Sequence, residues 1–258
     1  MSHEHIPYLE LAKHIPIQKG DIIYLISDIL ELVKNCKVHG EKFECEAFLR
    51  TICDTIGSEG TLLIPVFNWD FCKGKTFDYR TTRGKTGALG NAALKMTEFR
   101  RTKHPLYSFM VWGKDAEFLT KLDNISGFGF DSPFQYLHRH DGKALSIGIK
   151  HYVGNTFIHY VEQMQNVAYR YEKTFSAKYI DENGAEDIKS YSMFVRDLEI
   201  NPKFRYDEML DDFMKHRGLL KRFELNGCLC DYVYERGVYD VISLDIINNQ
   251  ACGIYQFQ

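Results

Sequence analysis

A histidine and a glutamate three residues apart, His159 and Glu162, have the types and spacing that suit proton transfer. On a helix this spacing places both side chains on one face, where the carboxylate can orient the imidazole. Asn155 lies four residues before His159, near the same end of that helix. The positive end of a helix dipole favours the neutral imidazole that a general base requires. The same spacing also fits a helix with two solvated polar residues.

The segment before this pair predicts a strand, a loop and the start of a helix. An apolar run from Ala144 to Ile149 follows a turn and predicts a buried strand, and Lys150 to Gly154 predicts a loop. Asn155 or Thr156 can then cap the helix. Ligands of open α/β sheets usually bind at such a junction. No His-Glu-x-x-His pattern or carboxylate cluster is present here, so we predict no metal site.

The composition excludes several classes of protein. A chain of 258 residues suits one large α/β domain, and its net charge of -3 gives no argument for nucleic acid. No apolar run approaches the ~20 residues of a membrane span, and the N-terminus lacks a secretory signal. The seven cysteines are scattered and odd in number, which favours a reduced, cytoplasmic chain.

Strands and helices alternate in the first half of the chain. The strand Ile22 to Ile26, the helix Phe43 to Ile56 and the strand Thr61 to Phe67 predict a βαβ unit. Ser108 to Trp112 predicts a further strand, and Ser132 can cap a helix that starts at the following proline. This order of elements indicates an α/β fold.

The second half of the chain predicts a hairpin and a closing segment. Glu172 to Ile180 and Ile188 to Val195 predict two strands, joined by a turn at Asn183-Gly184. Tyr206 to Leu220 predicts a helix. Val238 to Ile247 returns to apolar alternation and is expected to close the domain.

The stretch from Gly142 to Arg170 resembles the central motif of the antibiotic N-acetyltransferases, the aminoglycoside 3-N-acetyltransferase family. That motif is a strand of the GKVLLLG type, an Asn-Thr-x-x-His-x-x-Glu segment and a Tyr-Arg pair, and all three parts are present here. The resemblance covers Gly20 to Arg170 and extends to a tail from Gly227. It departs from the family at the end of the first strand, where a histidine followed by small hydroxyl residues is usual and Ile26-Ser27-Asp28 stands instead. We expect Asp28 to cap a helix or to contact a substrate hydroxyl.

The resemblance implies a mixed-sheet α/β sandwich of the aminoglycoside 3-N-acetyltransferase type with an added β-hairpin flap. It implies a single acyltransferase domain over residues 1–258, with the flap inserted at about residues 171–226.

The resemblance also implies an acyl-CoA-dependent N-acyltransferase in which the amine attacks directly and no metal takes part. His159 would be the general base, and Glu162 would orient its ring or hold the incoming ammonium. The residues expected to bind the cofactor are Ser27, Thr81, Thr82, Gly87, Ala88, Leu89 and Ser108. Those expected to bind the acceptor are Asp70, His104, Asn155, Tyr169 and Arg170. Backbone N–H groups near Gly87 or the Ser108 hydroxyl would stabilise the oxyanion.

The acceptor amine is left open by the sequence. Lys150, His151 and Arg170 lie around the motif where a polycation would need carboxylates. This favours an amino-deoxy sugar linked to a nucleotide, of the dTDP type, for a surface polysaccharide such as O-antigen. One alternative is an aminoglycoside 3-N-acetyltransferase that gives antibiotic resistance, and another is a non-catalytic binding protein of the same fold. The expected partners are these small molecules, without nucleic acid or membrane, and a homodimer stays open.

Overall fold

The structure is a computed structural model that describes residues 5–257. The strands are β1 (Ile22–Ser27), β2 (Thr61–Pro65), β3 (Phe77–Asp78), β4 (Arg100–Arg101), β5 (Phe109–Gly113), β6 (Lys143–Ile147), β7 (Arg170–Ile180), β8 (Glu186–Arg196), β9 (Lys203–Phe204), β10 (Leu220–Leu225), β11 (Cys228–Tyr234) and β12 (Tyr255–Gln256). The helices are α1 (Leu30–Val38), α2 (Cys45–Ile56), α3 (Ala88–Ala93), α4 (Ala116–Lys121), α5 (Pro133–Arg139), α6 (His151–Gly154), α7 (Phe157–Met164), α8 (Met209–His216) and α9 (Glu235–Asn249).

The central sheet has seven strands in the order β10-β11-β6-β1-β2-β5-β4. Its middle strands β6, β1 and β2 run parallel, whereas β5, β4, β11 and β10 add antiparallel pairs. The four strands predicted near Ile22, Leu62, Ser108 and Ala144 are all in this sheet, as β1, β2, β5 and β6. The predicted mixed sheet is therefore present.

Helices cover both faces of the sheet because both faces are apolar. Successive β1 side chains point to opposite sides, so Tyr24 and Ile26 belong to one buried cluster and Ile23 and Leu25 to the other. The first cluster packs against α5, α7 and α9, and the second against α1, α2 and α3. The layers form the predicted α/β sandwich.

The hairpin predicted at Asn183-Gly184 consists of β7 and β8, which pair along their whole length. Gly184 has a φ of +86°, a conformation that glycine adopts at little cost. β3 pairs with β7 and completes a small sheet separate from the central one. The last residues of β8, 193–196, line a cavity described below.

Three segments differ from the sequence predictions. Residues 151–154 form the short helix α6 and not a loop. The closing segment is the helix α9, because Val238, Val241, Ile242 and Asp245 are buried at spacings of three or four residues, which a helix satisfies and a strand does not. The helix predicted over Tyr206 to Leu220 is shorter, as α8. None of the helices within residues 5–257 is long and apolar enough to cross a membrane.

Candidate active site

The junction between α6 and α7 is built around the side chain of Asn155. The Asn155 backbone N–H donates to the carbonyl of His151 at 2.8 Å and so ends α6. Its side-chain Oδ1 accepts the N–H of Phe157, the first residue of α7, at 3.1 Å. Of the two predicted caps, Asn155 therefore supplies the hydrogen bond, and Thr156 makes none with its side chain. This bond satisfies an amide that a helix start leaves without an intrahelical partner.

His159 and Glu162 contact each other on α7, as their spacing predicts. His159 Nδ1 lies 2.6 Å from Glu162 Oε2. The imidazole is 31% exposed, whereas the glutamate side chain is fully buried. A carboxylate only accepts hydrogen bonds, so Nδ1 carries the hydrogen of this contact. In the neutral ring, Nε2 then has a free lone pair with which to accept a proton.

Arg170 completes a buried chain of charges behind His159. Its Nε lies 2.7 Å from the same oxygen of Glu162, and its Nη2 donates to the Tyr255 hydroxyl at 2.8 Å. Burial opposes ionisation of Glu162, but His159 and Arg170 together hold the pKa of Glu162 below its usual value. Because Glu162 is ionised, buried and paired twice, the geometry favours the role of orienting the imidazole over that of holding an ammonium.

A cavity of about 420 Å³ opens above this chain. α6 and α7 supply its floor and the end of β8 covers it, so segments far apart in sequence meet there. No Asp or Glu in the part of the chain that the structure describes lines it. Its polar and charged lining residues include Asn155, Thr156, His159, Arg170 and Arg196, and its aromatic ones are Trp69, Tyr107, Tyr152, Phe194, Phe204 and Tyr255. Among residues 5–257, no group of three or more His, Cys, Asp or Glu could hold a metal ion.

A family model described as aminoglycoside 3-N-acetyltransferase matches residues 34–243, which is more than half of the chain. The chain belongs to this family. It is an N-acetyltransferase, as the motif around His159 predicts.

Several solved structures have the same fold. AAC-VIa bound to sisomicin matches with a TM-score of 0.77 at 17% identity, covering 96% of this chain and 99% of its own. AAC-IIIb with CoASH matches with a TM-score of 0.75 at 15% identity, covering 96% and 98%. The YokD protein from Bacillus subtilis matches with a TM-score of 0.74 at 17% identity, covering 97% of each chain. The predicted mixed α/β fold is confirmed, and the CoASH complex of AAC-IIIb agrees with the predicted acyl-CoA co-substrate.

In this N-acetyltransferase, three of the residues predicted to bind coenzyme A lie together. Ser27, Gly87 and Ala88 line a second cavity, of about 540 Å³, at the carboxyl end of β1. Leu89 is buried in the core, in the first turn of α3. Asp28 lines the same cavity, and its carboxylate accepts the N–H of Leu30, the first residue of α1, at 3.1 Å. This is the capping contact expected for Asp28.

The other predicted cofactor residues lie away from this cavity. Ser108 is fully buried, where it accepts the Arg101 Nε–H at 3.0 Å and donates to the Val66 carbonyl at 3.3 Å. The prediction that Ser108 contacts the cofactor or the oxyanion gains no support from this position, because its hydroxyl is enclosed and already paired. Thr81 and Thr82 lie in the turn after β3, where the Thr82 hydroxyl accepts the Asp78 N–H, and neither lines a described cavity.

His104, predicted to bind the acceptor, is also enclosed. It is 1% exposed, its Nδ1 accepts the N–H of Tyr107 at 3.2 Å, and its Nε2 lies 3.2 Å from the Ile125 carbonyl. Burial lowers the pKa of His104 to about 4, so the ring stays neutral and joins two loops. Its position before a proline in an apparent motif did not reveal that it is buried.

Of the remaining residues predicted to bind the acceptor, two line the cavity and two do not. Asn155 and Arg170 line the cavity above His159. Asp70 lies outside it and pairs with Lys85 at 2.6 Å, although the preceding Trp69 does line it. Tyr169 is buried against Tyr255 and does not reach the cavity. Burial, and next the charge of Glu162, raise the pKa of Tyr169. Its hydroxyl therefore stays neutral beside the buried carboxylate.

The sequence predictions missed the residues that the hairpin and the C-terminus bring to the cavity. These are Met193, Phe194, Val195, Arg196, Phe204 and Tyr255. All follow Arg170, where the resemblance weakens, and only Tyr255 lies in its tail from Gly227. No local pattern marks them, and only the fold brings the ends of β8, β9 and β12 to the same cavity as α7.

Proposed function

We propose that the chain transfers an acyl group from coenzyme A to the amine of an amino sugar, with His159 as the general base. The observation that carries this proposal is the line from Arg170 through Glu162 to His159, which ends in the 420 Å³ cavity. An orienting carboxylate behind a half-buried imidazole is the arrangement that a proton acceptor needs.

The chemistry follows from the free Nε2 of His159. As the amine nitrogen attacks the thioester carbonyl carbon, Nε2 takes the proton that the nitrogen loses. The tetrahedral intermediate collapses, the C–S bond breaks, and the thiolate of coenzyme A leaves and takes up the proton that His159 holds, which restores the neutral imidazole. Glu162 stabilises the transient imidazolium, and no residue becomes acylated. Release of coenzyme A thiol that requires the amine and is lost in His159→Asn would support this mechanism, whereas amine-independent release would contradict it.

We further propose that the acyl-CoA binds in the cavity lined by Ser27, Gly87 and Ala88. Ala88 is exposed there, so Ala88→Trp should fill the entrance and raise the KM for acyl-CoA by about tenfold, a loss of ~1.4 kcal/mol in binding. Ser108→Ala is the matched control, because its buried hydroxyl should affect stability but not that KM. Steady-state kinetics with varied acyl-CoA measure both. An unchanged KM in a folded Ala88→Trp protein would place the cofactor elsewhere.

For the acceptor, we propose a nucleotide-linked amino-deoxy sugar. Two arginines and no carboxylate line the cavity within the described residues, so a polycation would find no counter-charge there. Trp69, Tyr152 and Phe204 offer aromatic faces that suit a base or a sugar ring. A dTDP-linked sugar destined for surface polysaccharide has both a negatively charged diphosphate for the arginines and rings for the aromatic faces.

An aminoglycoside is the second candidate acceptor, and the family description favours it. The solved structure of AAC-VIa contains sisomicin, so a protein of this fold can bind that compound. A non-catalytic role is disfavoured by the intact set of Asn155, His159 and Glu162. A parallel assay of thiol release with sisomicin and with a dTDP-3-amino-3,6-dideoxyhexose separates the three. Turnover of sisomicin alone would reject the nucleotide sugar, and turnover of neither would favour a binding protein.

Arg196 provides a test of the nucleotide-linked acceptor. It is exposed and lines the cavity, and its Nη1 donates only to the Pro202 carbonyl at 3.1 Å among the described contacts. Arg196→Gln should raise the acceptor KM by about tenfold, since charged hydrogen bonds contribute ~1.5–3 kcal/mol. The KM should also rise with salt, which screens the phosphate contact. Lys189→Gln, on the same strand but away from the cavity, is the control. An acceptor KM insensitive to Arg196 and to salt would contradict a phosphate-bearing acceptor.

A further inference from the structure

A second buried carboxyl group contacts the active-site segment from the opposite side. Glu235 is the first residue of α9 and is fully buried. The side-chain nitrogen of Asn155 lies 3.0 Å from Glu235 Oε1 and 3.1 Å from Oε2. Asn155 is itself 4% exposed and lines the cavity. The contact therefore joins the start of α9 to the start of the helix that carries His159.

We propose that Glu235 is a positioning residue, which holds Asn155 in the orientation that fixes the start of α7 and hence the place of His159. The Asn155 amide has one donor end and one acceptor end. Because Glu235 occupies the donor end, Oδ1 points to the N–H of Phe157 and caps α7. Without Glu235, the amide loses its partner in a buried place and the first turn of α7 loses its fixed cap. The inference rests on the proposed role of His159.

The surroundings of Glu235 indicate its state. Burial raises the pKa of Glu235 to about 8, with Asn155 as its opposing hydrogen-bond partner, so the carboxyl is protonated at pH 7. Tyr24 of β1 is a titratable group close to Glu235, and its pKa is raised first by burial and then by the charge that Glu235 would carry when ionised. A neutral acid can keep its carbonyl toward Asn155 without placing a bare charge among apolar side chains. Glutamine has the same shape and is also neutral, which makes it the conservative replacement.

The sign of the pH dependence follows from the direction of this shift. The folded pKa lies above the ordinary value of 4.5, so the folded state binds more protons than the unfolded state between these two values. The contribution of Glu235 to stability is complete below about pH 4.5 and is lost as the pH rises to about 8. Glu235→Gln should remove this decline, which thermal unfolding across that pH range measures.

The kinetic test compares three variants of the whole chain. Glu235→Ala should lower kcat by about tenfold to a hundredfold, since it misplaces the base, and leave the KM for acyl-CoA within about twofold. Glu235→Gln should recover most of that loss. Asp245→Asn is the matched control, because Asp245 is a buried carboxylate of the same helix that accepts the Gly253 N–H far along α9. It should lower the melting temperature without changing kcat.

A second measurement keeps the proposal testable whatever the turnover. In protein labelled with ¹⁵N-histidine, the ring signals of His159, assigned with His159→Asn, should shift in Glu235→Ala and return in Glu235→Gln. A folded Glu235→Ala protein with wild-type kcat and unmoved His159 signals would overturn the proposal. If Glu235→Ala does not fold, the same NMR comparison is made with Glu235→Asp, whose shorter side chain withdraws the carboxyl from Asn155, and unmoved His159 signals there would overturn the proposal. Absence of turnover in the wild type rejects the proposed function instead, while the NMR comparison still reports on positioning.

Discussion

His159→Ala and His159→Asn should each lower kcat by about 10²–10⁴-fold, the range that general-base catalysis typically contributes. An ammonium has no lone pair, and removal of His159 leaves no other imidazole among the described residues lining the cavity. The KM for acyl-CoA should change little, because the second cavity does not include His159. Steady-state kinetics of thiol release with a saturating amine acceptor measure both constants.

The fold should survive these substitutions, since the His159 side chain is 31% exposed and lines a cavity. His138→Asn provides the matched control. His138 is a half-buried histidine of α5 whose Nδ1 lies 3.2 Å from the Tyr160 hydroxyl, and it lines neither cavity. Its kcat should stay near that of the wild type. A folded His159→Ala protein with near-normal turnover at pH 7 would remove His159 from the mechanism.

Arg170→Met should lower the free energy of unfolding by about 3–5 kcal/mol, the usual effect of removing one partner of a buried ion pair. The reason is that Glu162 is fully buried and would keep its charge beside His159 alone. The loss should shrink as the pH falls, because protonation of Glu162 removes the stranded charge. The wild type should instead lose stability as the pH falls. The pKa of Glu162 is held below 4.5 in the folded state, so the stabilisation from the ionised carboxylate is present above that pH and is lost as the pH falls through the folded pKa.

Urea unfolding of three variants tests this prediction. The double variant Glu162→Gln/Arg170→Met should recover a large part of the lost stability, since it leaves no unpaired charge. Arg196→Met is the control, because Arg196 is exposed at the end of β8 without a carboxylate within ion-pair distance among the described residues. It should change the stability by less than about 0.5 kcal/mol. An Arg170→Met protein as stable as the wild type would show that the ion pair does not hold Glu162 in place.

The hairpin and the central strands were predictable because their patterns are local. Alternating apolar residues and the Asn-Gly turn located β7 and β8, and apolar runs located β1, β2 and β6. α9 was not predictable in this way, since Val238 to Ile247 satisfies a two-residue alternation as well as a helical spacing. The tertiary structure shows which of the two is adopted, because the segment packs as a helix against α7.

By itself the sequence determined the pairing of His159 with Glu162, because a spacing of three residues on a helix fixes two side chains on one face. It also determined the family, through the motif from Gly142 to Arg170. The tertiary structure decided which polar residues of the motifs are reachable: Ser108 and His104 are enclosed, since burial depends on what packs over a segment. It decided that Glu235, eighty residues from Asn155, lies against it. Such contacts join separate segments through sheet register and helix packing, which no local spacing encodes.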